Sequence, residues 1–128
     1  MKLLRLDHVN VLTARLEGLV RFYEDLLGLR LGPRPDFPMA GAWLYLGDQA
    51  VIHLVEVSER RAAVNPRIEH FAFRAEGLSD LTNRLTAAGV PHSVDPVPGL
   101  PLVQVNLRDP DGNHIHVDFD TAGTATQD

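Results

Sequence analysis

Cysteine is absent from this 128-residue chain, which excludes disulfides, thiolate metal sites and cysteine nucleophiles. No run of Lys or Arg forms a stripe able to track phosphates. The net charge is -5, with acids and arginines interspersed, and this argues against nucleic acid and anionic membrane surfaces as partners. No apolar stretch approaches the roughly 20 residues that span a bilayer. Near the N-terminus, Arg5, Asp7 and His8 interrupt the sequence before a signal-peptide core can form. The expectation is a soluble, cytoplasmic protein. What the chain does have is 45% hydrophobic residues, enough for a real core, and a length that fits one domain over 1–120. The small polar residues at 121–128 read as a disordered tail.

Apolar periodicity gives the organisation. Residues 6–13, LDHVNVLT, alternate as a strand does. Leu16, Leu19, Val20, Tyr23 and Leu27 recur at helical steps, and Gly28 stands where a helix ends. Three short strands follow in LRLG, AWLYLG and AVIHLVEV, divided by the proline-rich GPRPDFP and by a GDQ turn. The same order then restarts. EHFAFRAE reads as a strand, and Leu78, Leu81, Leu85 and Ala88 mark a helix that stops at Gly89. Strands follow around His92–Val94, Leu102–Arg108 and His114–Phe119, with DPDG as the turn before the last.

That restart is an internal repeat. DHVNV at 7–11 and EHFAF at 69–73 lie 62 residues apart, and Leu16 and Leu19 meet Leu78 and Leu81 at the same offset. His53 and His116 correspond at 63. Two βαβββ modules, about 4–57 and 67–120, therefore make up an α+β chain. The repeat also pairs four histidines: His8 with His70 at the first strands, His53 with His116 at the last. Each has large apolar neighbours, so strand alternation points each imidazole away from the helix-covered face. If the modules are related by a pseudo-twofold axis, the four converge on one cleft. A divalent metal is then the natural compensation for their desolvation. The alternative is a polar cleft inherited from a duplication.

The paired DHVNV…FYEDLLGLRLG and EHFAF…DPDGNHIHV resemble the vicinal oxygen chelate superfamily. That family includes glyoxalase I, fosfomycin resistance proteins, bleomycin-binding proteins and extradiol dioxygenases. The resemblance runs from Leu6 to Phe119. It implies a cupped mixed sheet built from two βαβββ modules, a small-molecule substrate and a homodimer. It also implies metal ligands from the first and fourth strand of each module: His8, His53, His70 and His116. The sequence departs from the family pattern at His116, where metal-binding relatives most often have Glu. An all-imidazole set suits Zn, Ni or Fe better than hard cations. It also removes the usual proton-transferring carboxylate, which weakens glyoxalase-type isomerisation, and the lack of a carboxylate ligand weakens the dioxygenase branch; lyase or isomerase chemistry ranks ahead of dioxygenation. The alternative is a non-catalytic protein that sequesters a drug or metabolite.

Other cleft residues follow from strand parity. Asp118 shares the His116 face and is a candidate orienting partner or base. His114 shares it too, but at the strand start it reads as a rim residue; His92 is given no role, and Glu56 has the wrong parity. Asn10, Trp43, Arg74 and Gln104 are the substrate-binding candidates, with Asn106 beside Gln104. Arg74 suits a carboxylate or phosphate. Phe37, Met39, Trp43 and Tyr45 form an apolar group that would cover a ligand or a dimer contact.

Overall fold

The computed structural model describes residues 1–2, 4–59 and 68–121. Its contacts divide the chain into two compact units, Met1–Ala62 and Ala63–Asp128. The first contains β1 (Val9–Thr13), α1 (Leu16–Arg21), β2 (Arg30–Gly32), β3 (Gly41–Leu46) and β4 (Gln49–Glu56). Its sheet runs β1-β4-β3-β2, with β1 parallel to β4 and the other neighbours antiparallel. The second contains β5 (His70–Ala75), α2 (Leu78–Ala87), β6 (His92–Pro96), β7 (Leu102–Arg108) and β8 (His114–Asp120). Its sheet, β5-β8-β7-β6, repeats the same pattern of one parallel and two antiparallel pairs. Each unit is thus a βαβββ module, and the fold is α+β. Residue 67, where the second module was expected to begin, and the tail from 122 on lie outside the described residues.

Alternation decides which face each strand buries. In β4, Ile52 and Leu54 are buried against α1, while His53 between them faces the other way. In β8, Ile115, Val117 and Phe119 are buried on one face, and His114, His116 and Asp118 line the other. Leu19, Tyr23 and Leu44 complete the core of the first unit; Leu81, Leu85, Val105 and Leu107 complete that of the second. Each such side chain stabilises the fold by about 1.5–3 kcal/mol, so this packing fixes strand register and with it the histidine faces.

Several boundaries differ from the sequence reading, most of them by one residue. The first strand begins at Val9, where pairing with Ile52 starts, so His8 sits just ahead of it rather than inside it. The expected helix over Leu16–Leu27 is α-helical only to Arg21 and widens into a π-helical turn over Phe22–Leu26. Both Phe22 and Tyr23 are buried there, with their rings edge-on at 5.2 Å; adjacent residues on a regular helix diverge by about 100°. The sixth strand runs to Pro96, two residues further than read from the sequence. Gly28 and Gly89 close the two helices with φ of 76° and 68°, the left-handed conformation expected after a helix.

The turn before β8 is pinned by one side chain. Asp109, buried to 4% exposure, accepts the backbone N–H groups of Asp111 (3.0 Å) and Asn113 (2.9 Å) on Oδ1. Its Oδ2 accepts Asn113 Nδ2 at 2.8 Å. Arg108 Nη1 donates to the Gly112 carbonyl at 3.0 Å. These bonds fix where β8 starts, and therefore where His114 and His116 stand.

Candidate metal and ligand sites

In the first unit the histidines form a ring stack. His53 lies between His8 (centroids 3.8 Å, planes 10° apart) and Trp43 (3.9 Å, 10°). Register explains the Trp43 contact, since Trp43 and His53 are partners across β3 and β4. Asn10 is the partner of His53 on the other side, across β1. His53 Nε2 donates to the Ala50 carbonyl at 3.1 Å, which leaves Nδ1 as its acceptor or ligand atom. Burial, reinforced by the His8 charge, pushes the His53 imidazole below its ordinary range, so the neutral form is favoured. His8 bonds through Nδ1 to Asp7 Oδ2 at 2.8 Å, and Asp7 is further held by Arg5 at 3.2 Å. The His8 hydrogen bond, chiefly, holds the Asp7 carboxyl below its usual value.

Beside this stack lies a cavity of about 210 Å³, lined by Asn10, Arg34, Phe37, Met39, Trp43 and His53 among others. Two substrate-binding expectations, Asn10 and Trp43, are on its wall. Arg34 was not singled out from sequence, yet its guanidinium lies over the Phe37 ring at 5.0 Å and donates to the Met39 carbonyl at 3.0 Å. Its Nε is buried with no hydrogen-bond partner. The only sequence signal was an arginine set between prolines in GPRPDFP.

The second unit gathers three imidazoles. His70 stacks on His116 with centroids 4.0 Å apart and planes 14° apart; His114 meets both edge-on, at 5.4 and 4.7 Å. One potential ligand nitrogen from each ring lies within 4.8 Å of the other two. His114 therefore belongs to the cluster, not to the rim as its place at the strand start suggested. Register is the reason: His70 is the partner of His114, 44 residues on, across the parallel β5–β8 pair, and this brings Glu69 within reach of His114. Glu69 holds both rings, through His70 Nδ1 on one oxygen and His114 Nδ1 on the other at 2.9 Å. The hydrogen bonds from His70 and then His114 lower the Glu69 carboxyl below its ordinary value. His114 Nε2 contacts Asn106 Oδ1 at 3.2 Å, and the Asn106 amide is oriented by donating to Asp95 Oδ2 at 3.1 Å.

His116 is the most enclosed of the three, at 9% exposure. Burial, with the charges of His70 and His114 adding to it, lowers its imidazole below the ordinary range, while Asp118 and Glu69 act in the opposite sense. A neutral imidazole is the form that ligates a metal. Arg74 and Gln104 flank Asp118 in register across β5 and β7. Asp118 Oδ1 is buried with no hydrogen-bond partner, the condition of a carboxylate awaiting a donor or a cation. A separate cavity of about 490 Å³ lies against His92, Ser93, Asn106, Arg108 and His114. His92, given no role from sequence, lines it while bonding the Val90 carbonyl at 2.9 Å.

The donor set fits a divalent metal of borderline softness. Three clustered imidazoles, two held at Nδ1 by one carboxylate, match the carboxylate–histidine arrangement that orients ligands at metal sites. The residue before the first-strand histidine is acidic in both repeats, Asp7 and Glu69, and it bonds that histidine in both. The acid–His dipeptide was the sequence signal for these two orienting groups.

Two βαβββ modules, each with histidines at or beside its first and last strands, define the fold class and its candidate site. Residues 5–117 match the Glyoxalase/Bleomycin resistance protein/Dioxygenase superfamily, and the chain belongs to it. Among curated relatives, the Arabidopsis thaliana protein named Glyoxylase I 4 is 29% identical over 125 residues, covering 91% of this chain and 71% of the relative. Among solved structures, a putative glyoxalase family protein from Bacillus anthracis aligns with a TM-score of 0.76 at 23% identity, over 94% of this chain and 98% of that one. The fosfomycin resistance protein FosX from Listeria monocytogenes aligns with a TM-score of 0.73 at 14% identity, over 95% and 98%. At these identities the two structures establish the shared fold. Among the described residues no helix is long and apolar enough to cross a membrane.

Proposed function

We propose that the chain is a metal-dependent enzyme acting on a small, metal-chelating oxygenated molecule, with lyase or isomerase chemistry. Its ligand candidates are His8 and His53 in the first unit and His70 and His116 in the second. The observation that carries the reading is the oriented imidazole cluster His70, His114 and His116 held by Glu69. The superfamily membership and the likeness to the plant protein named Glyoxylase I 4 support it.

A bound Zn, Ni or Fe ion would supply Lewis acidity toward a substrate oxygen. The protein's own contribution is orientation and proton handling. Glu69 and Asp7 hold His70 and His8 by their Nδ1 atoms, leaving Nε2 for ligation. Asp118 is the candidate base, because its unpartnered Oδ1 is free to take a substrate proton, whereas Glu69 is engaged by two histidines. Asn10, Trp43, Arg74 and Gln104 are the proposed substrate contacts, and Arg34 joins them through its place on the first unit's cavity. The proposed setting is a homodimer, as the family resemblance implies, in the cytoplasm, as expected from the sequence.

That cavity, walled by Phe37, Met39 and Trp43, also favours a second reading: a protein that sequesters an apolar drug or metabolite without turnover. The two separate experimentally. Untagged protein is assayed for bound metal and then given methylglyoxal–thiol adducts, catechols, or fosfomycin with a thiol. Near-stoichiometric Zn, Ni or Fe that is lost in His70→Ala, together with product formation, supports the enzyme. Failure to take up metal on reconstitution at neutral pH refutes it, and saturable binding with no product favours sequestration.

A further inference from the structure

We infer that the first unit's cavity takes a small aromatic carboxylate, with the Arg34 guanidinium receiving the anion and Phe37, Met39 and Trp43 walling the ring. This ligand class deepens the reading of that cavity as the place of a substrate or sequestered molecule, and rests on it, but requires no metal.

Charge is the first reason. Three of the side chains around the cavity are polar, Asn10, Arg34 and His53, and of these Arg34 carries a permanent charge. Among the described residues no carboxylate lies within ion-pair distance of it. Its five N–H donors meet one described acceptor, the Met39 carbonyl at 3.0 Å, and Nε is buried with no partner. A guanidinium drawn partly out of water without a counter-charge costs free energy. An anionic ligand offsets that cost.

The arginine is also held in place before any ligand arrives. Its guanidinium lies over the Phe37 ring at 5.0 Å. Nη2 packs so closely on Gly41 that a Cβ there would stand 2.8 Å from it. The segment that carries it, 33–40 between β2 and β3, has prolines at 33, 35 and 38, each with a fixed φ. Tyr45 Oη donates to the Pro33 carbonyl, and the Ala40 carbonyl accepts the Glu56 N–H at 2.8 Å. A fork fixed in this way matches a planar carboxylate and loses little freedom on binding it. The second unit has no counterpart, because its loop between β6 and β7 is VPGLP, 97–101, without a charged residue. Arg34 is therefore particular to the first unit and not part of the duplicated scaffold.

Shape supplies the aromatic half of the ligand. Phe37 and Met39 are 45% and 47% exposed, apolar surface that a bound ring removes from water. The Phe37 ring and the Trp43 indole stand 6.5 Å apart at 48°. A cavity of about 150 Å³ holds benzene, so one of about 210 Å³ has room for a ring bearing a carboxylate. Apolar walls alone suit a neutral aromatic molecule, and a guanidinium alone suits any small anion. The two side by side select a ligand with both parts.

Trp43 is the only tryptophan in the chain, so its fluorescence reports this cavity. The chelator-treated full-length protein is titrated with benzoate, with benzamide as the uncharged analogue, and with acetate as the anion without a ring. Calorimetry accompanies each titration. Benzoate is expected to change the fluorescence saturably, with affinity at least about tenfold above benzamide or acetate, as a charge-assisted contact gives. Arg34→Gln, checked for fold by circular dichroism, should bring benzoate to within about threefold of benzamide, and Arg34→Lys should restore part of the difference. Benzoate binding no tighter than benzamide in wild type, or a preference that survives Arg34→Gln, overturns the anion site while leaving the cavity open to neutral apolar ligands. If Arg34→Gln does not fold, the wild-type comparison decides the question by itself. No saturable response to any of the three overturns both the anion site and the reading of this cavity as a ligand site. The metal-dependent reading fails separately, on metal uptake.

Discussion

The two halves of the molecule are one scaffold used in two ways. Around His53 in the first unit, the strand neighbours are Asn10 and Trp43, and the same face of β4 carries Val51 and Val55. Around His116 in the second, the corresponding neighbours are Ala72 and Asn106, and the face carries His114 and Asp118. One half therefore presents an imidazole packed between rings beside an apolar cavity. The other presents a polar cluster of three imidazoles and two carboxylates. The backbone pattern is common to both, so the difference lies in side chains on one sheet face, where substitution does not disturb the core beneath.

If the scaffold is truly shared, matching core deletions should cost the same. Ile52 and Ile115 are fully buried at positions 63 apart, on the faces opposite His53 and His116. Ile52→Ala and Ile115→Ala are each expected to lose about 2–5 kcal/mol, measured by urea denaturation of the metal-free protein. Costs that differ by more than the scatter of such substitutions would break the equivalence.

The turns into β4 and β8 should instead differ. The first is a two-residue link, Gly47–Asp48, between the paired residues Leu46 and Gln49, and Asp48 is exposed. The second is the longer Asp109–Asn113 turn, held by the buried Asp109 carboxylate. Asp109→Ala is expected to cost about 2–3 kcal/mol through lost charge-assisted hydrogen bonds, and to weaken metal uptake, measured by elemental analysis after reconstitution, because β8 loses its fixed start. Asp48→Ala should stay within about 0.5 kcal/mol of wild type. Equal effects at the two turns would refute the idea that Asp109 positions the histidines.

Much of this was legible in the sequence, for physical reasons. The 62-residue offset exposed the modules, and alternation around His53 and His116 gave their faces, because strand side chains have a strict period of two. Parity could also place His114 beside His116, but not decide its role. That role depends on Glu69 and on the β5–β8 register, which join residues 45 and 44 apart in sequence. Arg34 escaped for a similar reason: a loop arginine has no periodicity, and its contacts with Phe37 and Met39 arise only when the loop folds back. The π-helical turn escaped because the repeat of Leu19 and Tyr23 fits an ordinary helix equally well.

Acid should weaken both halves in two stages. His53 and His116 are held below the ordinary imidazole value of 6.5 by burial. Between that value and their folded ones, the unfolded chain binds more protons than the folded chain, so stability falls as pH drops from about 6.5. Each such group contributes a slope of at most about 1.4 kcal/mol per pH unit. Asp7 and Glu69, held below 3.8 and 4.5 by their histidine partners, add a second loss at lower pH. Denaturant titrations of chelator-treated protein at pH 8, 6 and 5 should show the first stage, with His53→Gln and His116→Gln each flattening it. A stability that rises from pH 8 to pH 5 would contradict the assigned directions.

The smallest change asks whether ring stacking alone separates the two imidazoles. Trp43 stands where the second unit has Asn106, 63 residues later. Trp43→Asn removes one of the two rings covering His53 and admits water to that face. Desolvation is the leading cause of the lowered His53 value, so its titration, followed by NMR of the ring protons, should move up toward 6.5, while His116 in the other unit stays unchanged. The stability cost should be about 1 kcal/mol, because Trp43 is half-buried. Ligand affinity in the first unit's cavity should drop further than stability does, since the indole is part of its wall. If the His53 titration does not move, its neutrality comes from the neighbouring His8 charge rather than from the stack. Asp7→Asn, which removes the carboxylate beside His8, would then be the substitution that shifts it.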